Sequence, residues 1–193
     1  EYYNISLKLD STNSFVYNDR ASFRLITDSI NSAISDYRKA LKLDSTLEIA
    51  YCNLASAYRK KNKPDSAIKY YTKALELNTE YYKSLNNRSI VFYLSDKYEQ
   101  AIKDIETAIR IEPQKAPAYN NLGIIYHAMK EYKKAITYFD RSIQLKPDIA
   151  LTYHNRGNSK EMLKDFSGAV KDWAKALEMG MTETKEYIEY YSQ

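Results

Sequence analysis

Tyr119-Asn120-Asn121-Leu122-Gly123-Ile124-Ile125-Tyr126 decides the reading of this chain, because the stretch returns at a fixed interval. Thirty-four residues on stands Tyr153-His154-Asn155-Arg156-Gly157, and thirty-four back stands Leu85-Asn86-Asn87-Arg88-Ser89. One interval earlier stands Tyr51-Cys52-Asn53-Leu54-Ala55, and a weaker copy, Tyr17-Asn18-Asp19-Arg20-Ala21, opens the series. A fixed period of this length marks a chain of stacked units, each too small to bury its own apolar face.

The second half of each unit repeats as well. Ala33, Ala67, Ala101, Ala135 and Ala169 share one column, and the large residues Tyr37, Tyr71, Ile105, Phe139 and Trp173 another. The small residues Ala40, Ala74, Ala108, Ser142 and Ala176 form a third, and Pro113 and Pro147 close their units. Within a unit the spacing predicts two helices. Tyr119, Gly123 and Tyr126 lie at i, i+4, i+7 on one face, and breaks fall near Asn62-Lys63-Pro64, Ser95-Asp96, Lys130-Glu131 and Lys164-Asp165. The chain has only four Gly and four Pro, and the prolines sit at unit or helix boundaries, where a missing N–H costs nothing. Small residues at the eighth position are expected to let helix backbones approach, received by the alanines of the second helix.

This column pattern resembles the tetratricopeptide repeat over essentially the whole chain. The resemblance implies an all-α fold, a right-handed superhelical alpha-alpha solenoid. The expected units run 14–47, 48–81, 82–115, 116–149 and 150–183. Residues 1–13 match the end of a truncated preceding repeat, and 184–193 are expected to form a C-terminal capping helix carrying Tyr187, Ile188 and Tyr191. Arg24 and Lys160 depart from Tyr58, Phe92 and Tyr126 at the eleventh position, so the end units are the least regular. Because the chain opens inside a unit, the reading expects a fragment of a longer protein with an uncovered N-terminal edge.

Composition bounds the chemistry. Of 193 residues, 44% are hydrophobic and 28% charged, the balance of an ordered protein. A net charge of +4 is too mild to argue for nucleic acid, and the basic run Arg59, Lys60, Lys61, Lys63 sits at an expected turn. Cys52 is the only cysteine, so no internal disulfide and no cysteine-rich metal site can form. No run is long and apolar enough for a membrane span. The chain reads as soluble, of cytoplasm or periplasm, and its richness in Lys, Asn, Ile and Tyr with scarce Gly suggests a bacterial source.

By the resemblance, the first helices line a concave groove. The sixth position there reads Asp19, Asn53, Asn87, Asn121, Asn155, a ladder of four asparagines. An Asn amide offers a donor and an acceptor, enough for one peptide unit of an extended ligand. Helices roughly 10 Å apart and an extended chain advancing about 3.3 Å per residue let one Asn per unit clamp every third ligand residue. The alternative is that these asparagines bond to a neighbouring helix. Asn18, Asn86 and Asn120 at the fifth position add polar capacity, and Lys83, His127, His154 and Asn158 are candidate specificity residues on the same face. Trp173 reads as packing, and Arg20, Arg88 and Arg156 as bonds between helices.

Other readings are weaker. The charge pattern by which some tetratricopeptide domains grip a chaperone's C-terminal carboxylate is complete in no frame. His127 and His154 lack a carboxylate or cysteine cluster to complete a metal shell, and no phosphate loop or nucleophile–base motif appears. The expectation is therefore a non-enzymatic scaffold that takes a protein or peptide, with no cofactor, no metal and no nucleic acid. An architectural solenoid able to self-associate end to end, or a regulatory arm of a larger protein, is the alternative.

Overall fold

The computed structural model describes residues 2–191; Glu1, Ser192 and Gln193, the outermost residues of the expected leading and capping segments, lie outside the described residues. Every regular element described is helical. The chain divides into two compact units, residues up to 97 and from 98 on. The first holds α1 (Tyr2–Leu9), α2 (Ser14–Ile26), α3 (Ile30–Leu43), α4 (Glu48–Lys60), α5 (Pro64–Leu77) and α6 (Tyr82–Tyr93). The second holds α7 (Tyr98–Ile111), α8 (Ala116–Ala128), α9 (Tyr132–Leu145), α10 (Ala150–Met162) and α11 (Phe166–Glu178), then a short 3-10 turn (Thr182–Thr184) and α12 (Lys185–Tyr191). None of these helices is long and apolar enough to cross a membrane.

One turn geometry recurs. The residue just past α2, α4, α6, α8 and α10 takes a left-handed backbone: Asp28 (φ 60°), Asn62 (54°), Asp96 (57°), Lys130 (63°) and Lys164 (64°). The next N–H, that of Ser29, Lys63, Lys97, Glu131 and Asp165, donates to the carbonyl five residues back at 2.8–3.0 Å. This 6→1 bond satisfies a carbonyl that the helix end leaves open. Beyond the helices α1, α3 and α5 the chain uses Asx turns instead. Asp10 Oδ1 accepts from Thr12 N and Oγ1 at 2.8 and 2.6 Å, and Asp44 Oδ1 from Thr46 at 2.9 and 2.7 Å. These bonds hold both carboxyls below the ordinary carboxylate range.

In the first unit α2 pairs with α3 and α4 with α5, and α2, α4 and α6 lie side by side. Its core gathers Ala21, Ala33, Tyr37, Leu54 and Ala57, and then Ala55, Ala67, Tyr71, Ala74 and Val91. In the second unit α8 pairs with α9 and α10 with α11. There the repeated alanine and aromatic columns bury Ala135, Phe139, Ala169, Trp173 and Ala176 completely. Helix α12 lays Tyr187 and Tyr191 against Trp173, with ring centroids 5.3 and 5.6 Å away.

The small eighth position has a more specific reason than backbone approach. A Cβ on Gly123 would come within 2.6 Å of the Phe139 ring, and one on Gly157 within 2.6 Å of the Trp173 indole. The missing side chain makes room for the aromatic of the second helix, and the nearest neighbours are ring atoms rather than alanines. Where the residue is Ala21 or Ala55, the aromatic is Tyr37 or Tyr71, whose hydroxyl lies 3.1 or 2.9 Å from Ser22 or Ser56. These two are the tyrosines that fill core volume completely.

Two kinds of repeat alternate. Arg20 makes a two-pronged bond to Asp36, both contacts 2.7 Å, and Arg156 does the same to Asp172 at 2.8 and 2.5 Å. The residue four positions after each arginine joins the same carboxylate: Arg24 reaches Asp36 at 2.6 Å and Lys160 reaches Asp172 at 2.8 Å. Asp36 and Asp172 are almost wholly buried, so the paired cations are what permits their charge. In the intervening repeats the arginine is Leu54 or Leu122, and the remaining places hold Tyr58 over Tyr70 and Tyr126 over Tyr138, stacked with centroids 5.3 Å apart. Arg24 and Lys160 are thus members of an ion cluster. The expected bonding of Arg20 and Arg156 between helices is what the structure shows, and Arg88 likewise donates to Thr72 on α5 at 2.8 Å.

Candidate functional site

The sequence-predicted residues fall on the first helix of each pair, and each unit presents its own set. In the first unit, Asn53 on α4 donates from Nδ2 to Oδ1 of Asn18 on α2 at 3.0 Å. Asn18 is 4% exposed, and its own Nδ2 donates to Asp19 at 3.2 Å. A buried amide needs such partners, and the bond fixes which way the Asn53 amide points. Its Oδ1 and second N–H take no partner among the described residues. On α6, Asn86 donates to Oδ1 of Asn87 at 3.3 Å. Both are half-buried, and Lys83, one turn earlier on the same helix, is exposed.

The second unit repeats the device. Asn155 on α10 donates from Nδ2 to Oδ1 of Asn120 on α8 at 3.3 Å, and Asn120 is 7% exposed. Asn121 is half-buried beside it. Sequence reasoning missed the partners: the fifth-position Asn of one repeat meets the sixth-position Asn of the next, a spacing of 35 residues. The column at 34 was visible, whereas the pairing across it is set by how adjacent helices slide.

Around this pair the second unit builds a polar relay. Trp173 Nε1–H donates to Asn158 Oδ1 at 2.9 Å, which turns the Asn158 amino group toward His154 Nε2, 3.0 Å away. His154 must accept there, so its proton sits on Nδ1, which is buried without a hydrogen-bond partner. Asn158 is therefore occupied at both ends. Ser159 donates to the Asn155 carbonyl at 3.1 Å, so its oxygen accepts from His127 Nδ1, 2.8 Å away. Burial pushes the pKa of both histidines down, with Glu161 opposing at His127 and Glu183 at His154. The rings are neutral polar anchors at ordinary pH.

These amides, imidazoles and one exposed ammonium can donate and accept at fixed places. Ser159 stands beside the His127 imidazole, but it is fully buried and accepts the ring's N–H, so that nitrogen cannot take its proton. Among the described residues, no three of His, Cys, Asp and Glu gather as a metal site. Cys52 is 2% exposed, and burial pushes its thiol up, away from reactivity.

The comparisons with known proteins agree with this architecture. The tetratricopeptide-repeat family profile matches residues 49–81 and 116–149, and a second profile, described as TPR repeat, matches 90–130. A crystal structure of MamA is 27% identical, covering 89% of this chain and 94% of its own, with a TM-score of 0.72. PilF of Pseudomonas aeruginosa is 21% identical, covering 94% and 89%, with a TM-score of 0.81. YrrB, described as a TPR protein with an unusual peptide-binding site, is 19% identical, covering 93% and 93%, with a TM-score of 0.70. At those identities PilF and YrrB speak for the fold alone. No curated protein matches the sequence. The fold is an all-α solenoid of helix pairs, and the chain is a tetratricopeptide-repeat protein.

Proposed function

We propose that this chain is a non-catalytic interaction scaffold that holds an extended segment of a partner protein on its first helices. Asn53 and Asn87 of the first unit, and Asn121 and Asn155 of the second, take the ligand backbone. Asn86, Asn120 and Lys83, with His127, His154 and Asn158, shape the surface on which its side chains rest. The observation that carries the reading is the half-used amide. Asn53 and Asn155 each spend one N–H on the neighbouring helix, which leaves an oriented oxygen and a second N–H. Packing and binding are then one device, since an amide held by its neighbour loses little freedom when it meets a ligand.

The test compares capture from source-cell lysate by the wild type and by a variant with Asn53, Asn87, Asn121 and Asn155 changed to Ala, plus a Lys83→Ala variant. Circular dichroism must find each folded. Each lost bond between helices costs about 1 kcal/mol, so the fourfold variant melts lower but still cooperatively. The expected result is a partner held by the wild type and lost by the fourfold variant. Capture unchanged by both variants would overturn the reading.

A second reading, self-association through the N-terminal face, has its own observation. Phe23 is 57% exposed, whereas its column partners Ala57, Val91, Ile125 and Ser159 are 0–2% exposed. Tyr2, which lines a pocket with Phe23, is exposed, as are Leu9 on α1 and Ile26 on α2. An apolar face of this kind fits association of copies, and sedimentation of wild type against Phe23→Ser decides it.

A further inference from the structure

Among the second helices, α3 alone carries exposed cations and no exposed carboxylate. In α5, α9 and α11 the cation of one shared column has an acceptor three residues on. Lys73 meets Glu76 at 2.5 Å, Arg141 meets Gln144 at 2.5 Å, and Lys175 meets Glu178 at 3.0 Å. In α3 the corresponding residues are Lys39 and Lys42, so a second cation stands where those three helices put an acceptor; α7 has Thr107 and Arg110 there, with Glu99 and Glu106 exposed on the same helix. Like charges at this spacing repel rather than support a helix. The one carboxylate of α3, Asp36, is 1% exposed and held by Arg20 and Arg24 on the inner side. Asp28, at the turn before α3, is taken by Lys60 at 2.8 Å.

Folding adds a cation from another element. Lys61, just past α4, reaches over to Asn31 Oδ1 at 2.8 Å. Arg38 donates to the Tyr58 hydroxyl at 2.6 Å, which holds its guanidinium at the same place. Arg38, Lys39, Lys42 and Lys61 thus rim a shallow pocket of about 500 Å³, with no carboxylate in its lining. Lys39 also lies over the Tyr17 ring, 5.6 Å from its centroid. Ile34 and Tyr58 line the apolar part of the pocket. None of the four cations has a carboxylate partner among the described residues. In the sequence Lys61 belongs to a basic turn run and looks like ordinary solvated charge; its convergence with α3 is a product of the fold.

We propose that this pocket is a second docking site, independent of the asparagine-bearing face, for an acidic segment of a partner protein. The ligand's carboxylates meet Arg38, Lys42 and Lys61, and one apolar side chain rests against Ile34 and Tyr58. A pocket of side-chain size with an apolar wall and two cations held by hydrogen bonds fits a peptide better than the planar array of headgroups on a membrane.

The probe is a fluorescein-labelled peptide of alternating Asp and Glu around a single central Leu, titrated against the full chain by anisotropy. Amide shifts are mapped by heteronuclear NMR. The expected result is saturable binding that weakens with added salt, with shifts centred on α3, Tyr58 and the turn after α4. Reversing charge with Lys42→Glu and Lys61→Glu, both exposed, lowers affinity about tenfold or more; Lys42→Gln with Lys61→Gln falls between. The same peptide with Asn and Gln in place of its acids does not bind. Circular dichroism checks that the variants fold. The proposal is overturned if the acidic peptide fails to bind at millimolar concentration, if charge reversal leaves its affinity unchanged, or if the shifts centre on the asparagines of α2, α4 and α6. Sedimentation of the chain with phosphatidylserine vesicles, without peptide binding, would assign the face to membranes instead.

Discussion

Lys130 and Lys164 each hold the left-handed turn residue of a helix pair with a β-carbon that the conformation disfavours. At the same column Asp28, Asn62 and Asp96 carry side chains that tolerate such a backbone better. Replacing Lys130 or Lys164 by Gly removes the strain, although the unfolded chain gains freedom. The expected net effect is a stabilisation of about 0.5–1 kcal/mol, read as a rise in urea midpoint at constant slope. A loss of stability would mean that the lysine side chain contributes more than its backbone costs. This scale was legible only in part. The column pattern places a break at Lys130-Glu131 and Lys164-Asp165 as it does at Asn62 and Asp96, but only Asn and Asp announce the left-handed backbone, which the lysines hide behind a residue type that favours helix. The asparagine ladder was likewise legible as a column, but the bonds to Asn18 and Asn120 run between helices whose offset no spacing states.

Between helices, the alternation of ionic and aromatic repeats makes a sharper demand than hydrophobic pattern does. Arg156→Leu strands Asp172, 4% exposed, with Lys160 alone. Breaking a buried pair in this way costs about 3–5 kcal/mol, and somewhat less where one cation remains. The triple change Arg156→Leu, Lys160→Tyr and Asp172→Tyr imports the Leu122, Tyr126 and Tyr138 arrangement of α8 and α9 and should recover most of the loss. Thermal melting of the single and triple variants checks both outcomes, and a triple variant no better than the single would show that the two repeat kinds are not interchangeable sets. The period of 68 residues behind this, Arg20, Arg88, Arg156 with Asp36, Asp104, Asp172, is present in the sequence but masked by the stronger period of 34. The same helices make the second unit sensitive to acid. His127 and His154 are held neutral, with folded pKa values below the ordinary 6.5. The unfolded chain therefore takes up protons first as pH falls. Stability from these two groups is complete above pH 6.5 and declines as pH drops through that value towards the folded pKa values. Melting temperature should fall between about pH 7.5 and about 5.5, and the slope should flatten in a His127→Gln, His154→Gln variant, since protonating His154 Nε2 costs the bond from Asn158. An unchanged slope would place the acid sensitivity on the carboxylates.

For the molecule as a whole, stability in stacked repeats is close to a sum of local terms, because each helix pair touches only its neighbours. The sequence already implied this, since every large core residue, Tyr37, Tyr71, Ile105, Phe139 and Trp173, recurs once per repeat rather than converging on one centre. What it could not state was the division near residue 97, which depends on how many contacts cross each joint and not on the column pattern. The single tryptophan makes the consequence measurable. Trp173 is fully buried in the second unit, between α10, α11 and α12, so its fluorescence reports that unit, while far-ultraviolet circular dichroism reports all helices together. Tyr71, fully buried against Ala55, Ala67 and Ala74, lies in the first unit. Tyr71→Ala removes a large core aromatic, at a cost of about 3–5 kcal/mol. Local summation predicts that the dichroism transition of this variant in urea begins well below that of the wild type and broadens, while the Trp173 transition moves by a smaller amount. The two probes, coincident or nearly so in the wild type, would then separate. If instead both transitions shift together by the full amount, the chain unfolds as one cooperative body, and the boundary between the units carries as much coupling as the joints inside them.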